Sequence, residues 1–394
     1  MEAAYEVLRG EEGDADLATL AAELGRLHYF RGEIALATER IDAALEIAEG
    51  LGLPEVISQA LNTKGIVATA RARPEEGVAL LKHALTVALA NDRSTAALRA
   101  YYNLAEVTYG RDRYAEAIDL HARALELAER VGNLLWEQLI REGMTFPLFM
   151  AGRWDEALER AGEIASWDST GEMSAMLAVL PTICVNRGLD EGLEKIAELA
   201  AAYEGSSDVQ QAGSHAAAMS VIRGAEGNHA EALDLAKDAL QSGITTGADS
   251  PLIRIGFAAA VDSAFALGDP TQVEEVIDLL GGLRRGEIWP SLVALVERTR
   301  ARLGAARGTT EGVESGFRAA AKRFREIGMP YWLGATLVEL AEWLASQERL
   351  DEAGPALSEA NEIFERLQAQ PWLERVERLR PSLSRDAAGS QATG

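Results

Sequence analysis

Between Ser94 and Tyr109 the apolar or small positions are Ala97, Leu98, Tyr101, Leu104, Ala105 and Thr108, which together make one stripe of an α-helix. Gly110-Arg111-Asp112-Arg113 interrupts the stripe. A second stripe runs from Tyr114 to Val131 through Ala117, Ile118, Leu120, Ala124, Leu125 and Ala128, and Gly132-Asn133 ends it. Glycine suits that place because it takes the left-handed conformation that closes a helix. Pro54 and Arg73-Pro74-Glu75 open neighbouring helices, where the N–H that proline lacks has no intrahelical partner to lose. The same alternation of stripe and break runs along most of the chain and predicts pairs of helices with no strand.

The pairs recur with a fixed period. Ala37, Gly77, Ala117, Ala157, Gly192, Ala232, Val273, Gly312 and Ala353 each follow a turn and open a second helix, at successive spacings of 40, 40, 40, 35, 40, 41, 39 and 41 residues. Twelve residues before these anchors lie Gly25, Gly65, Ala105, Thr145, Ser220 and Ala341, and seven after lie Ala44, Ala84, Ala124, Ala239, Ala319 and Ala360. Small side chains at these places let the two helices of a pair approach closely, while Leu24, Leu45, Tyr101, Leu104, Leu125, Leu337 and Leu340 fill the space between. Repetition at such a period is the mark of a stacked solenoid, in which each unit packs on its neighbours.

This small–anchor–small pattern, with Leu61, Tyr101, Phe257 or Leu337 sixteen residues before an anchor, resembles the tetratricopeptide repeat, lengthened from its usual 34 residues by about a turn per helix. The long variant resembles the sensor solenoids of bacterial signalling ATPases, including the maltotriose-responsive activator family. More narrowly, the segments 53–65 and 152–158 look like the C-terminal repeats of actinobacterial proteins that join a class III nucleotide cyclase to an ATPase module. The resemblance implies an all-α, right-handed superhelical solenoid of antiparallel helix pairs and a regulatory, non-catalytic role.

The expected organisation has five parts. Residues 1–9 are expected to be a truncated half-repeat helix, because Ala4 lies one period before Ala44 and the rest of that repeat is missing, as in a fragment of a longer protein or at an edge that another module covers. Residues 10–167 are regular repeats, and 168–310 are degenerate, since Val273, Arg300 and Leu180 stand where small residues belong. Residues 311–380 return to regular repeats, and 381–394, poor in bulky apolar residues, form a disordered tail. The stripe Ala4, Tyr5 and Leu8 is expected to be half-covered and prone to fraying or self-association.

Composition narrows the partners. The 394 residues carry 62 acidic against 38 basic side chains, a net charge of −24, which disfavours direct contact with nucleic acid or an anionic membrane surface. No apolar run approaches the ~20 residues that span a bilayer, and the N-terminus lacks a signal peptide. The one cysteine, Cys184, lies in an apolar stretch and is expected to be a buried thiol, in keeping with a reducing cytoplasm. The seven tryptophans fall mostly on apolar stripes or at helix starts and are expected to pack.

The chain has no phosphate loop, dinucleotide fingerprint, nucleophile elbow, zinc-protease motif or calcium loop. His28, His83, His121, His215 and His229 are scattered, so no helix carries a two-histidine metal site. No cofactor is expected. What remains is the face lined by the first helices, at positions 18, 15, 11 and 8 before the anchors. The candidate binding residues on it are Arg26 and Tyr29, then Gln59 and Asn62, then Arg99, Tyr102, Glu106 and Tyr109, then Glu142. Tyrosine offers flat contact area with a hydroxyl, and arginine a fork of donors, the chemistry of peptide or small-ligand contact. The expectation is a scaffold that binds a protein segment or effector. The alternatives are a small-molecule sensor and an all-α hydrolase or transferase. The enzyme would need clustered histidines or paired acids on the inner face, which are absent from the sequence pattern.

Overall fold

The computed structural model describes residues 1–8, 14–165, 174–247 and 250–390. After α1 (Glu2–Leu8) come helix pairs: α2 (Ala15–Phe30) with α3 (Ile34–Leu51), α4 (Pro54–Ala70) with α5 (Pro74–Ala90), and α6 (Ser94–Gly110) with α7 (Tyr114–Val131). They continue as α8 (Leu134–Met150) with α9 (Trp154–Ala165), α10 (Ser174–Arg187) with α11 (Asp190–Ala201), and α12 (Val209–Ala225) with α13 (His229–Thr246). The last are α14 (Pro251–Leu267) with α15 (Pro270–Asp278), α16 (Pro290–Ala306) with α17 (Val313–Ile327), α18 (Pro330–Ser346) with α19 (Leu350–Leu367), and the closing α20 (Gln370–Ser390). These helices form an all-α solenoid of antiparallel pairs, and every anchor but Gly312 lies inside the second helix of its pair.

The small residues act as the spacing implied. A Cβ on Gly25 would stand 2.7 Å from Ile41 Cγ1, and one on Gly65 would stand 2.8 Å from Leu81 Cγ and 3.1 Å from the carbonyl oxygen of Gly77. The chain also turns on a periodic left-handed residue five positions before the anchors, as at Gly32 (φ 74°) and Ala72 (φ 57°). At Gly32 that conformation is free of a Cβ clash, whereas Ala72 adopts it at some cost in strain.

Gly312 is a correction. It is exposed, with φ 78°, and caps the start of α17. The residue that meets the partner helix is Val313, 1% exposed, with Ala301 twelve before it and Ala320 seven after it, both buried. This register places the anchor forty residues from both Val273 and Ala353, and the misfit of Arg300 disappears. Between the sixth and seventh units glycines at other places bring the helices together. A Cβ on Gly256 would lie 2.6 Å from Leu240 N, and one on Gly243 2.7 Å from Ile253 N. Irregularity concentrates instead around α15, which is only 9 residues long and runs into two short 3-10 turns, Leu279–Gly282 and Arg285–Glu287. The helix α20 continues to Ser390, beyond the expected start of a disordered tail at 381. The border expected at 167 and 168, Trp167 and residues 391–394 lie outside the described residues, as do the side chains of Ala4 and Leu8.

The chain divides into two compact units, Met1–Met144 and Thr145–Gly394. In the first, the expected loose edge is a polar latch. Tyr5 is 6% exposed, and the Arg40 guanidinium lies over its ring at 4.2 Å. Glu2 accepts from Arg40 Nη2 at 2.9 Å and from His28 Nε2 at 2.6 Å, while His28 Nδ1 donates to Glu33 at 2.5 Å. Carboxylates at both ring nitrogens require the doubly protonated imidazolium. Hydrogen bonds to Glu2 and then Glu33 raise His28 above the ordinary 6.5, and those from Arg40 and His28 hold Glu2 down to about 2.

The second unit departs from nearest-neighbour stacking. Its C-terminal helices return to its first ones. Arg187 Nε donates to the carbonyl of Leu367 at 2.9 Å across 180 residues of sequence, and Gly152 abuts Pro330. An aromatic cluster fills the junction. Tyr331 lies 5.4 Å from Trp154 and 5.2 Å from Trp332, and Phe364 stacks on Trp372 at 5.1 Å. Trp154 and Trp332 are buried as expected, and so is Cys184, whose thiol burial pushes up to about 11.

Two outcomes follow from this packing. Gly65→Leu drives a side chain into Leu81 and the backbone of Gly77, and is expected to cost about 1–3 kcal/mol or more in unfolding free energy. An unchanged denaturation midpoint would show that the helices do not meet there. The latch should depend on pH. The contribution of His28 is complete below 6.5 and is lost as pH rises through its raised value, and that of Glu2 is complete above 4.5 and is lost as pH falls toward about 2. Amide protection of α1 should therefore peak between pH 4.5 and 6.5 and fall as pH rises through the raised value of His28. Protection that is flat across this range, or equal in His28→Gln, would contradict the latch.

Candidate functional site

In the first unit α2, α4 and α6 pack side by side, so the residues selected by register share one face. Arg26 on α2 donates to Glu23 Oε2 from Nη2 at 3.0 Å and from Nε at 3.2 Å. Arg99 on α6 is partly buried and has no hydrogen bond or ion pair among the described residues. Burial, and then the like charge of Arg26, press its pKa below the ordinary guanidinium range, and only Glu23 opposes them. The two arginines lie on the helices that flank α4, Arg26 paired with Glu23 and Arg99 without such a partner among the described residues. On α4 itself, Asn62 is 2% exposed and its Oδ1 has no hydrogen-bond partner among the described residues, while Gln59 is half-buried one turn away.

The other end of the face is acidic and aromatic. Tyr109 Oη donates to Glu106 Oε2 at 2.5 Å, and burial followed by the charge of Glu106 raises the Tyr109 hydroxyl well above 10.0. Glu142 is 4% exposed and adds a further negative charge near that hydroxyl. Tyr102 packs against Trp136 at 5.9 Å and edge-on against His121 at 5.8 Å. His121 is fully buried, its pKa is pulled down to about 3 by burial, and neither ring nitrogen has a hydrogen-bond partner among the described residues. Gly143 permits this approach, since a Cβ there would lie 3.1 Å from His121 Cε1 and 3.2 Å from Tyr102 Cε2.

Arg26 and Arg99 lie on α2 and α6, with Gln59 and Asn62 on α4 between them, while Tyr102, Glu106 and Glu142 surround the Tyr109 hydroxyl. Tyr29 is half-buried beside Phe30, with ring centroids 5.4 Å apart. Asn62, Tyr109 and Glu142 are buried, and so form the walls of the face and not its solvated surface. Trp136 and His121 were not singled out. Trp136 lies ten residues before Phe146, off the positions that were read, and His121 belongs to a second helix. Among the described residues no three His, Cys, Asp or Glu side chains are grouped to hold a metal ion.

Residues 56–130 match the tetratricopeptide repeat family. No curated protein matches the chain. Of solved structures, the apo form of the quorum sensor NprR from B. thuringiensis is 16% identical over 92% of this chain and 93% of that one, with a TM-score of 0.44. A monomeric mutant of IFIT1 with Gppp-AAAA is 14% identical over 98% of this chain and 85% of that one, and the human IFIT1 dimer with m7Gppp-AAAA is 14% identical over 95% and 84%; both have a TM-score of 0.52. The IFIT1 likeness is one of fold. By these comparisons the chain has the fold of a helical-repeat solenoid, and its residues 56–130 are similar to the tetratricopeptide repeat.

Proposed function

We propose that the first unit is a non-catalytic binding module that holds an extended peptide by a carboxylate. The observation that carries this reading is Arg99, a partly buried cation without an ion-pair partner among the described residues, set against Arg26. An anion bridging the two guanidinium groups would relieve their repulsion and replace solvation lost on burial. Arginine forks suit that task, because they meet a carboxylate in two parallel hydrogen bonds. Tyr102 and Trp136 offer aromatic area to a neighbouring side chain, and Glu106 and Glu142 favour a basic residue at the far end. In the wider reading, this module regulates a bacterial signalling protein in the cytoplasm.

The net charge of −24 still disfavours a nucleic acid, although Arg26 and Arg99 would also accept a phosphate. IFIT1, of the same fold, is described with capped oligonucleotides, so RNA belongs in the test. Fluorescent decapeptide pools that differ only in a C-terminal carboxylate or amide would be titrated against the protein, with an oligoadenylate as a further arm. The carboxylate pool should bind about tenfold or more tightly, a loss of a charge-assisted bond being worth about 1.5–3 kcal/mol. Arg99→Gln should erase the difference while helicity stays intact. Equal binding of the two pools would end the reading, and tighter binding of the oligoadenylate would replace the peptide with RNA.

A further inference from the structure

The second unit has a half-open cavity of about 210 Å³ lined by α10, α12, α14 and α18 and by His229 at the start of α13. Its polar groups are arranged in a way that packing alone does not require. The Tyr331 oxygen accepts from Trp372 Nε1 at 3.2 Å and from Asn186 Nδ2 at 3.4 Å. A phenol oxygen has two lone pairs and one proton. Both acceptor places are filled, so the Tyr331 proton is left to donate to something else. Tyr331 and Asp262 both line the cavity.

Asp262 supplies the complementary group. Its Oδ1 accepts from Arg302 Nη1 at 2.5 Å, while Oδ2 has no hydrogen bond among the described residues and the side chain is 54% exposed. The Ser263 hydroxyl stands beside it. Behind Asp262, Arg298 donates to both oxygens of Glu339 at 2.8 and 2.7 Å, and Arg302 lies 3.2 Å from Glu339 Oε1. Besides Tyr331, the lining carries Asp262, already paired with Arg302, and the imidazole of His229, which can donate or accept. A cationic ligand at Asp262 would meet Arg302 and Arg298, and an anionic one would meet Asp262 itself. Ile255, Ala258 and Trp332 make the remaining surface apolar.

We propose that this cavity binds a small neutral hydroxylated molecule. A hydroxyl both accepts, from Tyr331, and donates, to Asp262, while its carbon skeleton lies against Ile255 and Trp332. The site is independent of the first unit, and its failure would leave the peptide reading untouched.

The test uses the full chain with myo-inositol, glycerol and 1,2-hexanediol as probes, and ethanolamine and acetate as charged controls. Thermal unfolding and intrinsic tryptophan fluorescence are followed, since Trp332 lines the cavity and Trp372 holds Tyr331. At least one hydroxylated probe should raise the melting temperature and change the fluorescence with saturation, and the controls should not. Tyr331→Phe keeps the ring and removes the donor, and should weaken that binding about tenfold. Ser263→Ala, which leaves the aromatic cluster whole, should weaken it by a smaller factor if Tyr331→Phe proves unstable. No saturable response to any of the three probes, an equal response to ethanolamine or acetate, or wild-type affinity in both variants would overturn the proposal.

Discussion

The arrangement depends on how closely the two helices of a pair can approach. Where Gly65 meets Leu81 and Gly77, no room remains for even one further carbon atom. Shape selection of this kind sets the axial register of each pair, because a glycine or alanine must face the partner's bulk and any slide brings two large side chains together. Once the register is fixed, the first helices α2, α4 and α6 lie edge to edge. Polar residues at equivalent positions then gather on a single face, so the pairing of Arg26 with Arg99 is a consequence of packing elsewhere.

The second unit uses the same pairs to different effect. An aromatic cluster and the carbonyl of Leu367 tie its last helices to its first. The buried Arg298–Glu339 pair joins α16 to α18 behind the cavity. Removing either partner would leave an uncompensated charge in the interior, a loss of about 3–5 kcal/mol in comparable cases. Such a pair adds little net stability over an apolar replacement, but it fixes where Arg302 and Asp262 must point.

The period of the solenoid was legible because alanine and glycine recur where backbones touch, and no other constraint holds them forty residues apart. The eighth anchor was misplaced by one residue because Gly312, needed for its left-handed cap, stands directly before Val313 and mimics the small residue. The face of the first unit could be found from helical position, yet the burial of Asn62, Tyr109 and Glu142 could not, since it depends on how tightly neighbouring pairs nest. Contacts across 145 and 180 residues, as from Asn186 to Tyr331 and from Arg187 to Leu367, leave no trace in a pattern that reports only nearest neighbours. The latch of Glu2 on His28 and Arg40 escaped for the same reason, being built from charged residues that a hydrophobic stripe does not register.

The central claim is that the repeat register forces two like charges, Arg26 and Arg99, to act on each other on one face. A double-mutant cycle at low salt tests it directly, with unfolding free energies measured for Arg26→Gln, Arg99→Gln and the double variant. The repulsion can be removed only once, so the double variant should gain less than the sum of the singles, with a coupling of about 0.5 kcal/mol or more that shrinks in high salt. Strict additivity at low salt would mean that the two guanidinium groups do not meet, and the face as described would not exist.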